Sequence, residues 1–537
     1  MPKPSLLLFT SLLLAALPLA APAMADDKNS LVVCTEASPE GFDLVQYTAA
    51  TTADATAETL FERLVRFIPG TTELAPALAE SWEVGADGLT YTFHLRHGVK
   101  FHHTEWFTPS RELNADDVLW SFQRQLDPQH PWHDKAVRGF PYAESMGMAE
   151  LIERIEAPDA YTVRFTLKHA EAPFLANLAM GFSSIYSAEY ADQLLAAGKP
   201  GQLNKLPIGT GPFVFDRYAK DAQVRFHANA DYWDGAPAIQ KLLFAITPDP
   251  NVRIQQLKAG ACQIALYPRP TDIAALKADS NIKIQSLDSL LTAYIAINTG
   301  HTPLDNVRVR QALNMAFDKS AYLRAQYGEG GASPAVAPYP PTLWGHDSQM
   351  LGWPHDPKRA RQLLVESGHG DGLKLSIWTR PGGGPTNPNP GIGAQMLQAD
   401  LAAIGIDSDI RVFEWGELIK RAKRGEHDLI FMGWAGDNGD PDNFLTPNLS
   451  CAAAKSGENM SGWCDEHFDA LITEARRVSS RPQRIALYRE ALSVFHDEAP
   501  WIPLAFPKQF TALRNDVQGF VQSPMGSNNF ARVSRTP

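Results

Sequence analysis

Residues 417–444 read Glu-Leu-Ile-Lys-Arg-Ala-Lys-Arg-Gly-Glu-His-Asp-Leu-Ile-Phe-Met-Gly-Trp-Ala-Gly-Asp-Asn-Gly-Asp-Pro-Asp-Asn-Phe. A helix is predicted over 417–424, and the apolar run 429–432 is predicted as a strand. That strand enters a loop holding Asp437, Asp440 and Asp442, with Asn438, Asn443, Trp434 and three glycines. Gly436 and Gly439 are expected to permit tight turns, which Asp and Asn also tolerate. A rigid acidic loop beside an aromatic face suits capture of a cation such as an α-amine. Taken alone, an Asx-rich turn is the simpler account of the same residues.

Working outward, strands are predicted over 373–378 and 410–413, with a helix over 392–403 between them. Further upstream lie a strand over 293–298 and an amphipathic helix over 307–318. That helix carries Val309, Ala312, Leu313, Ala316 and Phe317 on one stripe. Asp356-Pro357 supplies an N-cap and a first-turn proline for another helix. Alternating strands and helices of this kind make an α/β organisation with mixed sheets. The N-terminal half adds a strand over 31–34, a helix over 53–65 and two strand-like runs within 82–101, turned at Ala86-Asp87-Gly88. Asn114 is the expected N-cap of a helix over 115–125, with Asp116 and Asp117 at its positive end. A strand over 160–167 and a rigid turn over 207–212 follow.

At 537 residues the chain is too long for one compact core, so two or three domains are expected. Twelve tryptophans and 44% apolar residues argue against a disordered chain. A net charge of −12 argues against nucleic acid or anionic membrane as partner. Residues 1–25 read as an export signal: Lys3 is the only charge, 6–20 is largely apolar, and Ala23-Met24-Ala25 fits the cleavage rule. No cysteine stands at the cleavage point, so a lipid anchor is not expected. Four cysteines in an oxidising compartment point to two disulfides, with three pairings open. Cys451 and Cys464 are the simplest local pair, contributing roughly 3 kcal/mol by the chain-entropy model. Cys464 with His467 is the one ligand-like spacing and has no second pair beside it, so zinc is set aside.

The chain has no Gly-x-Ser-x-Gly elbow, no convincing Ser-x-x-Lys and no His-Glu-x-x-His. Gly382-Gly383-Gly384 lacks the Lys-Ser/Thr of a phosphate loop. His94, His97, His102 and His103 cluster, but alternation sets His94 and His97 on opposite faces, and exposed histidines at a hairpin end are the expected reading. No active site is visible, and neither metal nor cofactor is expected.

Several blocks resemble family 5 of the extracellular solute-binding proteins that serve ABC importers, within it the peptide binders. They are 34–42, 79–101, 113–124, 207–213, Asp231-Tyr232-Trp233, 307–319 and Phe413-Glu414-Trp415-Gly416 leading into 433–440. The resemblance spans the chain beyond its signal. It implies a type II periplasmic-binding-protein fold, α/β, with two hinged lobes and an additional third domain. The implied partition is 26–60, 201–288 and 508–537 for the first lobe, 61–200 for the additional domain and 289–507 for the second lobe. It also implies the disulfides Cys34–Cys262 and Cys451–Cys464.

The function implied is capture of short peptides, of two or three residues, by a periplasmic and monomeric carrier. The lobes would close on the peptide, and the closed form would dock on an inner-membrane permease. A haem or nickel-chelate carrier of the same family is the alternative, and an exported peptidase the alternative of another class. Asp437 matches the carboxylate that binds the peptide ammonium, with Trp434, Ala435 and Gly436 beside it and Thr48 reaching in from the first lobe. The family's dipeptide binders grip the ligand carboxylate with an Arg where this chain has Gly384, followed by Pro385 and Thr386. Arg380, four residues earlier, is the candidate to replace it, since glycines make the loop permissive. If it does not, a longer pocket is expected.

Overall fold

The computed structural model describes residues 28–525 and 527–536; the expected export signal lies outside them. Its largest feature is a 12-stranded sheet that runs through both halves of the chain. Ser30–Thr35 lies parallel to Lys241–Ile246 and to Ile264–Leu266, and antiparallel strands Gln223–Ala228 and Phe213–Ala219 complete that edge. At the other edge Lys374–Thr379 lies parallel to Asp407–Val412 and to Leu429–Ala435, and the last of these is antiparallel to Leu291–Ile297.

One long strand, Trp501–Arg514, joins the two edges. Its first part pairs with Leu291–Ile297 and its last part with Ile264–Leu266 and Ile282–Asp288. The chain therefore crosses between the halves twice, near 288–291 and near 505–508. Among the described residues two strand segments of the large sheet pass from one half to the other, an arrangement suited to a hinge.

The second half buries both faces of its strands. Ala293, Ile295, Ile297, Leu429 and Phe431 enter one core; Tyr294, Ala296, Ile430 and Met432 enter another on the opposite side. Period-two geometry converts these near-continuous apolar runs into two cores. Helix Pro390–Ala403 packs in the first core, and helices Glu466–Arg477 and Arg481–Glu498 pack in the second. A third core joins the first half to a separate four-stranded sheet of Ala79–Val84, Thr90–Leu95, Thr162–Leu167 and Ile152–Asp159.

Cys34 pairs with Cys262 and Cys451 with Cys464, at Cα separations of 5.9 and 4.6 Å. Asn114 caps helix Ala115–Leu126 in a full capping box with Asp117, and Asp356 caps Pro357–Glu366. The helix expected over 53–65 is only Ala50–Thr56, because the chain turns at 57–64 before strand Val65–Phe67. The helix expected over 307–318 ends at Ala316, and Asp318 caps the next one, Lys319–Tyr327. The exposed reading fails for His102, which is 2% exposed and bonds the Gly211 carbonyl through Nε2. Burial lowers its pKa to about 4, so it stays neutral and structural.

Candidate functional site

Strand Leu429–Ala435 runs three residues further than the apolar pattern indicated, in register Leu291↔Ala435 and Thr292↔Trp434. Gly436 then donates its N–H to the Leu290 carbonyl at 2.7 Å. The expected reason for these glycines is corrected by the structure. Neither Gly436 nor Gly439 has positive φ; both are needed for close approach. A Cβ on Gly436 would lie 2.8 Å from Phe444 and 2.9 Å from Leu290, and one on Gly439 would lie 2.5 Å from Thr72.

The loop's three aspartates are treated differently. Asp440 accepts two 2.8 Å contacts from Arg484, and Asp442 accepts from Thr446 and faces Arg476 at 3.9 Å. Asx turns are present as well, since Asn438 accepts from Asp440 N and Asp440 accepts from Asp442 N. Asp437 alone of the three has no cation. Its Oδ2 accepts the Tyr142 hydroxyl at 2.6 Å, and its backbone N–H is fixed by Asn443 Oδ1 at 2.7 Å. Burial pushes its carboxyl up to about 6 against the hydrogen bonds from Tyr142 and Asn443. Such a group gains most when a cation arrives.

Across the cavity, Arg380 leaves the end of strand Lys374–Thr379 and begins the glycine- and proline-rich segment 381–389. Its guanidinium lies over Gly384 and stacks on Trp415, with Cζ 4.8 Å from the ring centre. Among the described residues it makes no hydrogen bond and no ion pair. Burial lowers its pKa and the charge of Glu36 opposes this, yet an Arg remains cationic. The segment itself is rigid: Asn387 donates to the Met432 carbonyl and accepts from Tyr322. Thr386 packs where a side chain on Gly433 would stand, 2.2 Å from its Oγ1.

These elements enclose a cavity of about 150 Å³ between the two halves of the large sheet. Thr48, Arg380, Pro385, Thr386, Trp434, Ala435 and Asp437 all line it; Gly384 and Gly436 are buried and do not, and Gly384 borders a separate small cavity instead. Trp434 does two jobs, since it lines the cavity and also packs against two cores. On its other side Asp437 borders a second cavity of about 300 Å³. Tyr142, Glu36 and Trp415 are among the lining residues that the sequence pattern does not single out as site residues. Glu36 falls in a quoted block but had no visible charge partner. Tyr142 sits in a five-residue helix, Pro141–Ser145, 295 residues from Asp437, with no periodic signal to mark it. Among the described residues no group of three or more His, Cys, Asp or Glu could hold a metal ion. No helix among them is long and apolar enough to cross a membrane.

Two α/β lobes sharing crossing strands, with a cavity between them lined by two carboxylates without ion pairs among the described residues, Asp437 and Glu36, and by the guanidinium of Arg380, define a two-lobed solute-binding protein. Residues 73–456 match the bacterial extracellular solute-binding proteins, family 5, and the chain belongs to that family. It is 63% identical to di/tripeptide-binding protein 4 of Pseudomonas aeruginosa, over 97% of this chain and 98% of that one. It superposes on the dipeptide-binding protein of Pseudoalteromonas sp. SM9913 in complex with Met-Leu at a TM-score of 0.91. That match is 37% identical and covers 94% of this chain and 100% of the other. A periplasmic binding protein of Helicobacter pylori in complex with the peptide STSA gives a TM-score of 0.90 at 38% identity, covering 95% and 98%.

Proposed function

We propose that this chain captures short peptides in the periplasm by closing its lobes, and hands them to an ABC importer permease without altering them covalently. The observation that carries this reading is a buried carboxylate with no cation beside it, Asp437, and a guanidinium with no hydrogen bond or ion pair among the described residues, Arg380, on one cavity. Asp437 offers a carboxylate to the peptide ammonium, and Arg380 offers a fork to its carboxylate. Thr48 and the rims at Ala435 and Thr386 bring polar backbone between these ends, so the peptide is held by its main chain. In this reading residues 26–60, 201–288 and 508–537 form the first lobe, 61–200 the additional domain and 289–507 the second lobe. The two crossing segments support it. A haem or nickel-chelate cargo has less support, because no histidine lines the cavity.

Calorimetry with di- and tripeptides tests the proposal. Free peptides should bind, and both N-acetylation and C-terminal amidation should weaken binding. Asp437→Ala should weaken it by about 3–5 kcal/mol, the range for breaking a buried pair. Equal affinity for acetylated and free peptides would sink the role of Asp437.

A further inference from the structure

Arg380 and Gly384, four residues apart on the same loop, are in direct contact. A Cβ built on Gly384 would stand 2.0 Å from Nη2 of Arg380 and 3.3 Å from its Cζ. The guanidinium therefore occupies the space that any side chain at 384 would take. From another side the indole of Trp415, at the start of helix Trp415–Ala422, gives the same group a flat support. The surface under it does not yield. Gly384 N–H bonds the Asn387 carbonyl at 3.0 Å, and a Cβ on Gly383 would lie 1.9 Å from the Pro388 oxygen.

We infer that Gly384 and Trp415 are positioning residues: together they fix where Arg380 presents its two donors along the cavity, and so which ligand length places its carboxylate on them. This rests on the peptide reading above. The rival account makes Gly384 a mere requirement of the loop's backbone. Its φ speaks against that, lying outside the left-handed region in which Gly382, two residues earlier, is held at +72°. Alanine suits the backbone at 384, and the only atoms in its way are the flexible end of Arg380. Trp415, though partly buried, sends one face to the cavity instead of filling a core alone.

The test uses the full mature chain, with dialanine and trialanine as free acids, as C-terminal amides and as N-acetyl derivatives, titrated by calorimetry. Thermal melting confirms that Gly384→Ala and Trp415→Leu fold. In the unsubstituted protein the free acid should bind more tightly than the amide. Each substitution should cut that acid-over-amide ratio about tenfold, the scale of one charge-assisted hydrogen bond. The penalty for N-acetylation, read at the Asp437 end, should persist, which a general loosening of the site would not produce. An unchanged acid-over-amide ratio in folded Gly384→Ala or Trp415→Leu overturns the inference while leaving peptide binding intact. If the unsubstituted protein binds none of these peptides, or binds acid and amide alike, the peptide reading itself fails at the Arg380 end and takes this inference with it.

Discussion

Asp437 shows how one carboxylate is made selective by what surrounds it. Tyr142 donates to one oxygen and Asn443 holds the backbone, so the side chain cannot turn away from the cavity. Burial raises its pKa from 3.8 to about 6, which costs the ionised form stability until an ammonium arrives. A bound ammonium pulls the pKa back down, so peptide binding releases a proton from Asp437 at pH values below about 6. Affinity from this contact is then full above about 6 and is lost as pH falls through it. The measurement that isolates it is the affinity ratio of free to N-acetylated peptide. That ratio should be flat between pH 6.5 and 7.5, then drop about tenfold per unit below 6. A ratio that ignores pH down to 4.5 would show that Asp437 does not meet the ammonium.

At the scale of elements, the site is a strand end, a tight loop and a helix tied to a second helix. Helix Asp442–Leu449 follows the loop, and helix Arg481–Glu498 supplies Arg484 to Asp440 with both groups nearly buried. Arg484 also bonds the Tyr488 hydroxyl and the Ala475 carbonyl, so its charge is committed to this one place. Asp440→Ala should therefore cost about 3–5 kcal/mol of folding stability, because it leaves a buried guanidinium without its anion. Chemical denaturation reads this, and a loss below about 1 kcal/mol would mean the pair is solvated. Much of the local structure, here and elsewhere in the chain, is legible in the sequence. The apolar approach 429–432, the Asx residues and the cap residues Asn114 and Asp356 act through near neighbours in sequence, and local patterns report local causes. The strand's continuation through Trp434 and Ala435 was not visible, because it depends on pairing with Leu291 and Thr292. Nor was the reason for Gly436, which lies in Phe444 and Leu290 packed against it; the resemblance points to Asp437, but the physical choice of Asp437 over Asp440 as the carboxylate without a cation is not legible in the local sequence. That choice is made by Arg484, 44 residues away.

At the scale of the molecule, the loop at 437–442 and helix Glu466–Arg477 meet the segment 146–177 of the first half. Asn438 donates to Asn177 at 2.9 Å, Ala172 N–H bonds the Arg476 carbonyl at 2.7 Å, and Arg476 reaches the Met146 carbonyl. Glu171 lies at the centre of this contact, 3% exposed, facing Arg476 at 3.9 Å with Asp440 and Asp442 beyond. Burial lifts its carboxyl to about 8, with Arg476 pulling down and the two aspartates pushing up. If the lobes part when the cavity is empty, that burial is undone and Glu171 returns toward its ordinary 4.5. A carboxyl raised in the closed form favours closure fully below its ordinary value, and the favour is lost as pH rises through about 8. Closure and peptide binding are one equilibrium, so a shift in the closed fraction appears in the apparent affinity. Affinity relative to that of Glu171→Gln, which keeps the neutral shape at every pH, should thus fall about tenfold between pH 7 and pH 9. The comparison is made on one peptide, so titration of the peptide's own amine cancels. Parallel pH profiles for the two proteins would show that Glu171 is as buried in the open form as in the closed one, and that the hinge does not separate this contact.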